Sequence, residues 1–344
     1  MATTTPPAAP AGSATDVPSI DRDTRLALYR QLVRLRRFEE RAYRLFQEGL
    51  VKGTSHLSLG MEAIAAGVAE ALREGDYTFA TYRGHAHTLA RGVPMEGVMA
   101  ELLGRANGVC GGKGGSMHLT SVEHGVMGSY AIIGAHLPIA TGAAWSSQLR
   151  GTEQVTACFF GDGATNIGAF HEALNFAAIW DLPVVFVCEN NLWMEYTAIA
   201  DVTAVEHPAA DRAASYGLER IIVDGNDPDA VHLEARRAVD KARTGGGPSL
   251  IEALTYRHGG HSRADPGDYR PKEEVEAWLA RDPVPMYRQR LLDQGVAADD
   301  LDAIETQAQE AVDAATQAAR NGPVPDIDSA FTDVWADGGS SWRN

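Results

Sequence analysis

Gly161-Asp162-Gly163 follows an apolar run, Val155 to Phe160, and after 26 intervening residues Asn190-Asn191 follows a second run, Val184 to Cys188. One carboxylate and one carboxamide brought together can hold a hard divalent ion, which takes oxygen ligands. The glycines let the backbone approach a bulky anion, and the amides of Gly163 and Ala164, at the start of a helix, can donate to its oxygens. Taken alone, the first triplet is equally a strand-to-helix turn with a polar cap. The paired asparagines at fixed distance move the reading toward chemistry. A dinucleotide fingerprint does not fit, because Asn166 stands where G-x-G-x-x-G needs its last glycine, and no P-loop lysine follows.

For these turns to meet, the two runs must be neighbouring parallel strands joined by a crossover helix, opening at one sheet edge. Open α/β sheets bind their ligands there. Strands are expected at 155–160, 184–188, 220–223 and 249–255, with a short one at 77–80. Helical patterns lie at 168–180, 208–216 and 228–243. Such apolar runs mark strands buried on both faces, so the fold class is α/β, a doubly wound and mostly parallel sheet. Helical extensions flank it. Leu28, Leu32, Leu35, Phe38, Ala42, Leu45 and Phe46 recur at helical intervals over 21–49, with Gly49 as the stop. Further helices are expected at 60–72, in the small-residue stretch 134–145 and at 300–319. The organisation expected is a disordered leader over 1–19, one α/β domain over 20–325 and a tail over 326–344.

The chain has 344 residues, 44% apolar and 22% charged, which suits a globular enzyme. With 46 acidic against 30 basic residues the net charge is −16, which argues against nucleic acid or anionic membranes as partners. No stretch approaches the roughly 18 apolar residues of a membrane span. The leader, without Lys or Arg, matches neither a secretory nor a mitochondrial signal. The cysteines, Cys110, Cys158 and Cys188, show no C-x-x-C spacing, so a reduced, cytoplasmic setting is expected.

The spacing of the two turns resembles the thiamine diphosphate motif. That resemblance implies magnesium held by Asp162, Asn191 and the backbone carbonyl of Trp193, bridging to the diphosphate. Further segments resemble the α subunits of two-chain 2-oxo acid dehydrogenases of the pyruvate and acetoin group. They are Gly53 to Glu62, Thr81 to His85, Gly111 to His118, Ile133 to Pro138 and Tyr256 to Arg270. The resemblance places Tyr82 and Arg83 on the diphosphate and backbone groups of Ala131 and Ile133 at the aminopyrimidine, with the Ile133 side chain supporting the bent cofactor. His261 becomes an active-site histidine that touches diphosphate and aids reductive acylation, and His56 a second catalytic candidate. Alone, Arg83 reads as a surface ion-pair residue and Ile133 as core. His85 and His118 also match family positions. Gly111, Gly112, Gly114 and Gly115 around Lys113 read either as a flexible loop or as a lid.

The implied partners are a β subunit supplying the activating glutamate in an α2β2 assembly, a lipoyl-bearing acyltransferase and a small 2-oxo acid. The implied reaction is oxidative decarboxylation of that acid, pyruvate first, with acyl transfer to a lipoyl group. Acetoin is the alternative substrate, and the diphosphate-binding chain of a split transketolase is the rival enzyme. Gly259, Ala131 and His136 depart from the His, Gly and Gln common in pyruvate enzymes, and Trp193-Met194-Glu195 replaces small or neutral residues.

Overall fold

Long apolar runs separated by amphipathic segments can bury both strand faces only by placing helices on each side of a parallel sheet. The computed structural model describes residues 20–51, 53–333 and 335, and the expected leader and most of the expected tail lie outside them. Its strands are β1 (Tyr77–Thr81), β2 (Val126–Tyr130), β3 (Thr156–Gly161), β4 (Val184–Asn190), β5 (Ile221–Asp224) and β6 (Ser249–Leu254). All pair in parallel, in the order β2-β1-β3-β4-β6-β5. Between β1 and β3 the winding direction reverses, and this is where an open sheet parts its loops into a crevice.

The helices are α1 (Arg22–Gln47), α2 (Glu62–Ala71), α3 (His85–Ala90), α4 (Met95–Leu102), α5 (His136–Leu149), α6 (Gly168–Ile179), α7 (Pro228–Arg243), α8 (Lys272–Leu279), α9 (Pro283–Asp293) and α10 (Ala298–Asn321). Successive strand residues point to opposite faces. Phe160 and Phe186 therefore pack with Ala140 of α5 and Leu174 of α6 on one side. Phe159, Val185 and Val187 pack with Val68 of α2 and Val231 of α7 on the other. Gly67 permits the second layer, because a Cβ there would lie 2.7 Å from Val231. The heptad-like face of α1 builds a separate core with α4, α9 and α10. Arg36 of α1 ties that core to α2, one of the helices packed on the sheet, donating to Glu62 at 2.6 Å and to Asp282, which caps α9, at 2.8 Å.

Helices α3, α4, α8 and α9 were not anticipated from the sequence, and two further elements differ from it. The edge strand β2, Val-Met-Gly-Ser-Tyr, lacks an apolar run and was not anticipated. The helical pattern over 208–216 takes the form of a 3₁₀ run, Ala210–Tyr216, ended by Gly217 at φ +69°. Its start is fixed by Glu252 of β6, a buried carboxylate accepting the amides of Ala209 at 2.9 Å and Ala210 at 2.7 Å.

The glycine-rich segment is clasped by Glu101 on α4. This fully buried carboxylate accepts the amides of Cys110 (2.8 Å), Gly112 (2.9 Å), Gly114 (2.7 Å) and Gly115 (3.0 Å). Lys113 points away, donating to the Thr332 carbonyl and Asp333. Glu101→Gln replaces one acceptor oxygen by a donor facing donors, and should cost about 2 kcal/mol of stability. Chemical denaturation measures it; an unchanged midpoint would show that the clasp contributes nothing. Among the described residues no helix is long and apolar enough to cross a membrane.

Candidate active site

Register alone brings the two turns together. β3 and β4 pair from Thr156↔Val184 to Gly161↔Glu189, so Asp162 and Asn190-Asn191 leave the sheet side by side. Tyr82 and Arg83 follow β1, Ala131 and Ile133 follow β2, and His261 lies beyond β6. His56 arrives from the connection between α1 and α2. Together with Gly163, Ala164 and Trp193, all these residues except Asn190 line one cleft of about 460 Å³. The sequence reading missed two other lining residues that shape it, Arg257 and Glu189, and had His136 and Met194 only as departures from the family pattern.

Of the paired asparagines, only the second is available to a ligand. Asn190 donates from Nδ2 to Glu252 at 2.6 Å and so braces β4 against β6. Asn191 faces the cleft, its Oδ1 accepting the Trp193 amide at 3.2 Å. Asp162 is buried, and its Oδ2 has no hydrogen-bond partner. Burial pushes its carboxyl up to about 7, against the pull of Arg257 and the Gly163 amide. A buried acceptor without a partner is costly, and a cation would remove that cost.

The Trp193 carbonyl accepts Arg257 Nη1 at 3.0 Å, and the next carbonyl, Met194, accepts Nη2 at 3.1 Å. A carbonyl has two lone pairs, so Trp193 keeps one for an ion. The set is then one carboxylate, one carboxamide and one backbone carbonyl, all hard oxygens suited to magnesium completed by water and phosphate. No cluster of three or more His, Cys, Asp or Glu side chains suited to a metal occurs among the described residues.

Arg83 is buried and donates to the carbonyls of Leu57 at 2.5 Å and His261 at 2.8 Å. Its remaining N–H groups stay available to an anion. His56 packs edge-on against Tyr82 (4.4 Å between centroids) and His261 (4.9 Å). Burial first, then Arg83, holds His56 down at about 3 and His261 at about 4, so both rings are neutral at pH 7. Each keeps a buried Nδ1 without a partner. His261 is fixed through its backbone, its amide donating to Asp265 at 2.6 Å.

His136 donates from Nε2 to the Phe159 carbonyl at 2.7 Å and stacks on Tyr130, which leaves Nδ1 unpartnered. His85 and His118 stand outside the cleft. His85 is buried between Glu39 at 2.9 Å and Ser116 at 2.8 Å, a structural clamp, and His118 is exposed.

A family model described as the dehydrogenase E1 component matches residues 30–328. The chain is 41% identical over 318 residues to the α subunit of acetoin:2,6-dichlorophenolindophenol oxidoreductase from Bacillus subtilis, covering 92% of this chain and 95% of that one. It is 42% identical over 323 residues to the pyruvate dehydrogenase E1 component α subunit of Porphyra purpurea, covering 91% and 93%. The corresponding α subunit of Rhizobium meliloti is 41% identical over 311 residues, covering 90% and 89%.

Proposed function

We propose, on the premise that this chain belongs to the dehydrogenase E1 component family, that it is the α subunit of a thiamine diphosphate- and magnesium-dependent 2-oxo acid dehydrogenase acting on pyruvate. The observation that carries this reading is the partnerless Asp162 carboxylate oxygen, buried beside Asn191 and the Trp193 carbonyl at the mouth of parallel strands. When bound, thiamine diphosphate supplies the nucleophilic carbon and the electron sink for decarboxylation. The protein's part is placement. Asp162, Asn191 and Trp193 hold the ion, and the amides of Gly163 and Ala164, with Tyr82 and Arg83, meet the diphosphate. Ala131 and Ile133 meet the ring, while His56 and His261 border the reacting end.

A β subunit completes the site by supplying the glutamate that activates the cofactor, in an α2β2 assembly. Exposed apolar groups beside the cleft support a subunit contact. Ile132 is 73% exposed and Ile133 47%, and Trp145, Leu149, Ile179 and Trp180 extend the surface along α5 and α6. The acyl product passes to a lipoyl group on a partner acyltransferase in the cytoplasm.

Acetoin is the second reading, favoured by the similarity to an acetoin enzyme and by the changed residues Ala131, His136 and Gly259. Family membership leaves the split transketolase without support. Mixing the chain with its β partner should release carbon dioxide from pyruvate with an artificial electron acceptor. Activity on acetoin alone would select the second reading, and activity on sugar phosphates alone would overturn both.

A further inference from the structure

The cleft is lined by five Asp, Glu or Arg side chains, Arg83, Asp162, Glu189, Glu195 and Arg257. Four are buried. Arg83 and Arg257 are tied to backbone carbonyls, and Glu189 faces His87 Nε2 at 3.2 Å. Glu195 alone is exposed, so an incoming molecule meets one negative charge and no exposed cation.

The position of Glu195 is held by a built hairpin. Trp193 and Ala198 form an antiparallel bridge, the Met194 amide donates to Thr197 at 3.0 Å, and the Ile199 amide donates to Leu192 at 3.0 Å. The fork of Arg257 fixes the Trp193 and Met194 carbonyls from below. Met194 packs so closely over the Asp162 turn that a Cβ on Gly163 would lie 2.9 Å from its Sδ. The next residue therefore sits at the mouth, above the turn proposed to hold the ion.

We propose that Glu195 sets the charge specificity of the enzyme, penalising substrates for each negative charge they carry. This rests on the function proposed above. A neutral hydroxyketone enters without penalty, a 2-oxo monocarboxylate bears it once and a 2-oxo dicarboxylate bears it twice. Two charges several ångströms apart in largely aqueous surroundings alter association by about threefold per carboxylate, and salt screens the effect.

The test uses the complex reconstituted with its β partner. At about 20 mM salt, Glu195→Gln should raise kcat/KM for pyruvate about threefold, a gain that fades toward about 500 mM. Glu195→Asp should stay close to the unaltered enzyme. 2-Oxoglutarate, added as a competitor of pyruvate, should bind about tenfold tighter to the glutamine variant. An unchanged kcat/KM with unchanged salt dependence would overturn the charge gate and leave the functional reading standing. A gain for pyruvate that does not respond to salt would also overturn it, since that marks a steric effect. Failure of the unaltered complex to consume any 2-oxo acid would remove the functional reading itself.

Discussion

Asp162→Asn is expected to stabilise the metal-free chain while weakening magnesium-dependent binding of thiamine diphosphate by about 100-fold or more, some 3 kcal/mol. Both effects come from the same burial. The carboxyl titrates at about 7 instead of the ordinary 3.8, because ionisation in the closed turn lacks solvent. Between those values the folded chain keeps a proton that the unfolded chain has released. Stability of the metal-free protein therefore falls as pH rises from about 4 to about 7 and is level above that. The loss from this one group is at most roughly 4 kcal/mol. Asparagine has no charge to bury and escapes it. A cation needs the ionised form, so apparent magnesium affinity should climb with pH to about 7 and then flatten. Thermal melts without metal at pH 5 and pH 8, with calorimetry on the reconstituted complex, measure the two arms. Asp162→Ala should lose binding likewise with the fold intact. Unchanged affinity in either variant would remove the metal assignment.

That Asp162 could be picked out from the sequence, and Arg257 could not, shows where local chemistry stops. Strands β3, β4 and β6 are apolar runs because both their faces are covered, and the turns after them are written in Gly, Asp and Asn for reasons of local backbone chemistry. β2 escapes notice because an edge strand with a glycine at φ +141° needs no such run. Arg257 acts on carbonyls 63 and 64 residues away, an arrangement set by packing of the β6 loop and without a sequence pattern. Nothing in the sequence marks out Glu101 or Glu252. They prove to be buried acceptors that gather loose amides. The 208–216 segment reads as helical, and it forms a 3₁₀ run whose first amides Glu252 accepts.

His261→Ala should reduce acylation of the lipoyl group by about 100-fold or more while lowering decarboxylation by less than about tenfold, as expected of a positioned proton-transfer group. The structure makes this a clean substitution. His261 is anchored through its amide to Asp265 and through its carbonyl to Arg83, so removing the ring leaves the loop held. Its neighbours differ in what they retain. His56, 4.9 Å away, is deeper and is held at about 3, so it stays neutral across any working pH. His261, at about 4, is depressed by burial and by the cationic Arg83 and Arg257. A diphosphate held by Arg83 would offset the cationic surroundings of His261 and raise its pKa toward neutrality, where an imidazole both gives and takes a proton. The acylation half-reaction should accordingly show a pH dependence in the loaded complex that His261→Ala abolishes. Decarboxylation read with an artificial acceptor should lack it. Equal losses in both half-reactions would make His261 a binding residue for the diphosphate rather than a proton carrier, because weaker binding slows every step that follows it.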